Sequence, residues 1–135
     1  MSAQDFAKLS RALVEVARPL LEKHGEFNPF AMTMDAGGGI AMFAADIGVE
    51  MPKASELLAF LSAALRARAG DGKIRAWGIC SNVSARLPGY EGTVDAICCH
   101  LEHSSDHPVQ IFVPFRKAQL DRWEYDRPVA LRGQN

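Results

Sequence analysis

The chain has 135 residues, 48% of them hydrophobic and 23% charged, a balance that excludes a disordered polymer and fits one folded domain spanning 1–135. A net charge of −1 and a pI of about 6.4 exclude a basic nucleic-acid surface. No run approaches the roughly 18 apolar residues that cross a bilayer. The start, MSAQDFAKLS, lacks the charged-then-apolar pattern of a secretory leader, so the expected setting is the cytoplasm, with neither nucleic acid nor membrane as partner.

Phe6, Leu9, Leu13, Val16, Ala17 and Leu20 recur at three- and four-residue steps. They predict an amphipathic helix running from Ser2 to about Lys23. Ser2 and Asp5 suit a capping box at its start. Pro19 is expected to kink or divide it, and Gly25 to stop it. Phe30, Met32 and Met34 then alternate with smaller or polar residues, and a second alternating run starts at Ile40. The D-A-G-G-G between them predicts a β-hairpin, because glycine adopts turn backbone at low steric cost. A phosphate-loop reading of these glycines fails, since they join two strands and do not open a helix.

Pro52 marks the expected start of a second helix, with Leu57, Leu58, Phe60, Leu61, Ala64 and Leu65 as its apolar face and Gly70-Asp71-Gly72 as its end. Three extended runs follow at 73–87, 93–103 and 109–115, joined by P-G-Y-E-G and S-S-D-H-P turns. They predict an antiparallel meander. The stretch 118–128 fits either a short helix or a sixth strand that places Trp123 and Tyr125 on the body. The fold class is therefore α+β, in the order α-β-β-α-β-β-β. It is expected to be a five-stranded antiparallel sheet with both helices packed on one face.

That order resembles the profilin-like and roadblock-like architectures, which implies use as a ligand sensor or a dimerising scaffold. N-P-F-A at 28–31, K-I-R-A at 73–76, D-A-I at 95–97, L-E-H at 101–103 and V-P-F at 113–115 resemble small stand-alone bacterial proteins of uncharacterised function. The resemblance implies a shared fold and brings no activity with it.

Reactive side chains concentrate in D-A-I-C-C-H-L-E-H-S, residues 95–104. Strand alternation puts Ile97, Cys99 and Leu101 on one face, the core face, and Ala96, Cys98, His100 and Glu102 on the other. His103 continues the core-side set but is expected to be solvated at the strand end. In the preceding strand Trp77, Ile79 and Val83 suit the core, which assigns Ala76, Gly78, Cys80 and Asn82 to the outer face. Cys80, Cys98 and His100 would then share that face, and they are the candidate metal-ligand or thiol-enzyme set. No C-x-x-C, H-E-x-x-H or nucleophile elbow supports them. No cofactor is predicted and no catalytic residue is assigned.

The favoured reading takes the outer face as an interface. It is built from Ala76, Gly78, Ala96, Cys98 and Phe112, with His100, Glu102 and Gln110 as a polar rim. The chain then acts by binding, as a homodimer with a protein or small-molecule partner, and the enzyme is the alternative class. Asp35, Asp46 and Glu50 read as solvated charges near hairpin ends, and Arg75, Arg86 and Arg116 as strand ends and edges.

Overall fold

A computed structural model describes residues 2–43 and 53–132. Helix α1 spans Ser2–His24 and β1 and β2 span Phe30–Asp35 and Ile40–Phe43. Helix α2 is Ala54–Gly70, and β3, β4 and β5 are Ile74–Ala85, Val94–His103 and Asp106–Lys117. A 3-10 turn at Gln119–Asp121 leads to β6, Trp123–Tyr125, and β7, Val129–Arg132. Pro52, the expected start of the second helix, lies outside the described residues.

The architecture is α+β with an antiparallel sheet, but the sheet has more than five strands. Its order is β2-β1-β3-β4-β5, and both β6 and β7 pair with the far edge of β5. The segment 118–128 supplies both predicted forms in succession, a turn of 3-10 helix and then a strand. Asp126 N–H donates to Pro114 O between β6 and β7, so the two behave as one edge strand broken near Pro128. Proline cannot donate to a ladder and is confined to such edges. β5 also starts earlier than expected, because Asp106–Pro108 extend the strand and only Ser104-Ser105 turn the chain.

The helices do not share a face. Leu9, Leu13, Ala17 and Leu21 of α1 pack with Met32, Met34, Ala76, Cys80, Ile97, Cys99 and Leu101. Leu61 and Leu65 of α2 pack with Ala31, Ile74, Trp77 and Ile79. Neighbours along β1 and β3 thus point to opposite helices. Both strands are apolar at odd and even positions, so each face needs a cover. A third cluster, Leu87, Ala96, Cys98 and Phe112, lies on the α2 side and is closed by Tyr90, Val83 and Val94 around the 86–93 connection.

Helix α1 continues through Pro19 without being divided. Pro19 and Glu15 are both on the exposed side, so the carbonyl that proline leaves unbonded can be hydrated. The stop at Gly25 is as expected: its φ is +79° and its N–H donates to Leu21 O.

Gly78 sets how closely α1 approaches the sheet. A Cβ there would lie 2.7 Å from Leu101 Cδ2 and 2.8 Å from Leu13 Cδ1, well inside ordinary contact.

Candidate functional site

The register of β3 against β4 decides the cysteine–histidine cluster. Cys80 pairs with Cys99, Ser81 with Cys98 and Ile79 with His100. Directly opposed residues share a face. Cys80 therefore lies beneath α1 with Cys99, while Cys98 and His100 point to the α2 side. The candidate set Cys80, Cys98 and His100 is not brought together, and the described residues contain no cluster of three or more potential metal-ligating His, Cys, Asp or Glu side chains. The alternation within β4 is as expected, but β3 is one residue out of phase with the face assigned to it, which moves a whole strand to the other face.

The thiols are also poor nucleophiles. Hydrogen bonding with Cys99 and burial push the Cys80 thiol far above its ordinary range. Burial, with Cys99 adjacent, pushes Cys98 up to about 12. Neither supplies appreciable thiolate near neutrality.

The proposed interface divides in the same way. Ala76 and Gly78 face α1 and are covered by it. Ala96, Cys98 and Phe112 do share the other face, but they are buried within this chain by Leu87 and Tyr90. A second copy meeting these five residues would find none of them at the surface.

Two polar networks leave opposite faces of β4 at its C-terminal end. On the α2 side, His100 Nε2–H donates to Glu102 Oε2 at 2.7 Å, and Arg66 Nη2 approaches the same oxygen at 3.1 Å. The His100 ring lies 5.7 Å from Trp77. Burial pushes the Glu102 carboxyl up, but its hydrogen bonds to His100 and Arg66 outweigh that and hold it below its ordinary value.

On the α1 side, His103 Nε2–H donates to Asp5 Oδ2 and Arg75 Nη2–H to Asp5 Oδ1, both at 2.8 Å. The His103 side chain is 7% exposed, so it is not the solvated strand end expected of it. Asp5 is likewise buried, with its two carboxylate oxygens taken up by Arg75 and His103. The hydrogen bond to His103, opposed by burial and reinforced by Arg75, holds its carboxyl below the usual range. Ser105 Oγ lies 3.1 Å from His103 Nδ1, which completes a carboxylate–imidazole–hydroxyl row. Ser105 N–H donates to that same nitrogen, so the lone pair that would activate the hydroxyl is already engaged. The row is a latch between α1 and the sheet.

Arg75, read from the sequence as an edge charge, also donates to Ala36 O. Lys8 donates to Gly38 O, and Asp35 Oδ1 accepts from the N–H groups of Gly37 and Gly39. Arg75 and Lys8 thus fix the glycine turn as a structural hairpin, and Asp35 is part of it. Arg116 pairs with Glu124 at the surface, while Asp46 and Glu50 lie outside the described residues.

A large concavity lies at the other end of the sheet. β3 pairs with β1 only as far as Cys80 but with β4 as far as Ala85. Beside the unpaired stretch is a cleft of about 840 Å³. Val16, Leu20, Phe27, Phe30, Met42, Leu58 and Val83 give it apolar walls, and His24, Glu26, Asn28, Ser81 and Asn82 give it polar positions. The Asn82 carbonyl accepts the Phe27 N–H, which holds the 25–29 connection across the end of β3 and leaves the Asn82 amide NH₂ for other partners. No periodicity in the sequence marks this site, because its walls come from five separate segments. Comparison with protein-family models, curated proteins and solved structures finds no match for the chain.

Proposed function

We propose that this chain is a binding protein, with the cleft at the open side of β3 as the seat for a small ligand of largely apolar body. The cleft itself carries the proposal. Its volume of about 840 Å³ lies in the range of roughly 300–1,000 Å³ used by small-molecule sites, and mostly apolar walls with a few polar groups are the usual composition. Ser81 and Asn82 offer hydrogen bonds from the sheet, and His24 and Glu26 offer them from the rim.

A thiol or metal-dependent reaction has less support, because its three residues are divided between two faces. Self-association through the predicted interface has less support as well, because its residues are internal.

The test uses 1-anilinonaphthalene-8-sulfonate as an apolar reporter, followed by fluorescence titration. Saturable binding at one site is expected. Met42 is 56% exposed, so Met42→Glu should leave folding intact and, by removing an apolar wall and repelling the reporter's sulfonate, lower its affinity about tenfold, or about 1.4 kcal/mol. Asn28→Trp, at an exposed position on the same cleft, should weaken binding in the same direction. Binding that is not saturable, or that neither variant alters, would exclude the cleft as the seat.

A further inference from the structure

We propose that Cys80 and Cys99 form an oxidation site that closes to a cross-strand disulfide, with Cys98 left as the free thiol. The three are free cysteines, all buried, and they differ in what surrounds them. Cys80 and Cys99 are direct partners across β3 and β4. Opposed residues of an antiparallel pair have Cα atoms about 4.5–5.5 Å apart, and disulfides use about 4.4–6.8 Å. Both side chains belong to the core cluster beneath α1, and they interact directly there. Cys98 pairs with Ser81 and Phe112 and points to the opposite face. The separation that dismantles a Cys80–Cys98–His100 site is therefore what creates a Cys80–Cys99 pair.

The chemistry needs a two-electron oxidant, and glutathione disulfide is a suitable one. One cysteine, as thiolate, attacks a glutathione sulfur and expels one glutathione thiolate. The second cysteine loses its proton and attacks the protein sulfur of the mixed disulfide, expelling the other glutathione. Two cysteine thiols are oxidised, one glutathione disulfide is reduced, and the two cysteine protons end on the two glutathione thiols.

Access controls when this occurs. Both residues are 0% exposed, so an oxidant reaches them during folding or when α1 lifts from the sheet. The site thus reports whether the chain was folded or opened in an oxidising setting.

The experiment reduces and unfolds the whole chain, then refolds it in a mixture of oxidised and reduced glutathione. Peptide mapping and thiol counting follow. The expected product is lighter by two hydrogen atoms, has a Cys80–Cys99 link and retains one thiol at Cys98. Cys98→Ala should form the same link with no thiol left, and this variant leaves both bridging residues in place. The oxidised chain should melt above the reduced one, by on the order of 10 °C for a loop of this length. The proposal is overturned if native refolded protein keeps all three thiols, if the link includes Cys98, or if the bridged form melts below the reduced form.

Discussion

Gly78→Ala tests the packing of α1 on the sheet. The added Cβ would lie 2.7 Å from Leu101 Cδ2 and 2.8 Å from Leu13 Cδ1. Carbon atoms in contact prefer about 3.5–4.0 Å, so roughly 1 Å must be found on two sides at once. Leu13 and Leu101 are both 0% exposed and have no solvent to move into. Overpacking of this kind costs about 1–3 kcal/mol. Removing a strand glycine returns about 0.5–1 kcal/mol of backbone entropy. The net expectation is a loss of about 1–2 kcal/mol, read as a lower urea midpoint with an unchanged slope. In a Leu13→Ala background, which removes one of the two clashing methyls, the same substitution should cost less, a coupling of about 0.5 kcal/mol or more. The loss should not depend on protein concentration, because Gly78 faces a helix of its own chain. A variant as stable as the parent, or one changed only in self-association, would refute the packing and restore Gly78 to an intermolecular surface.

Two further substitutions test the latch and the β5–β6 turn. The folded-state pKa of Asp5 is depressed, so its contribution to stability is complete above the ordinary carboxylate value and is lost as pH falls through the folded one. Asp5→Asn should therefore lower stability near neutrality and flatten the acid limb of a Tm-against-pH profile below about pH 5; parallel profiles for the two chains would remove Asp5 from the latch. Leu120 is fully exposed with φ of +61°, a backbone that disfavours a branched side chain, so Leu120→Gly should be neutral or gain up to about 0.5 kcal/mol in urea melts, whereas a loss beyond about 1 kcal/mol would mean that the Leu120 side chain has a contact that matters.

The elements that depend on local rules were legible in the sequence. The three-and-four spacing of Phe6, Leu9, Leu13 and Ala17 marks α1, and Gly25 ends it. D-A-G-G-G joins β1 to β2, and the 73–115 meander has three strands. What stayed hidden requires two distant segments to be compared. Asp5 and His103 are 98 positions apart, and nothing near either names the other. The parity of His103 was a usable signal, because it continues the buried set Ile97, Cys99 and Leu101. Strand ends are usually wet, and the distant Asp5 keeps this one dry.

The face assignment failed for a physical reason that also bears on function. Period-two alternation orients residues within one strand, while the phase between strands is set by register. β4 has one better apolar parity, so its inner face could be read directly. β3 carries Ala76, Gly78 and Cys80 on one parity and Trp77, Ile79 and Val83 on the other, and size alone favours the second as core. The fold uses both, because α1 needs small residues where it approaches closely and α2 can sit over Trp77 and Ile79. Once β3 takes that phase, the reactive side chains of 95–104 are dealt to opposite sides: Cys99 and His103 beneath α1, Cys98, His100 and Glu102 toward α2. Each then acquires a partner or a cover that accounts for it. The cleft at the end of β3, where β1 stops short, has no such account among the described residues, and that is where the proposed ligand should be sought.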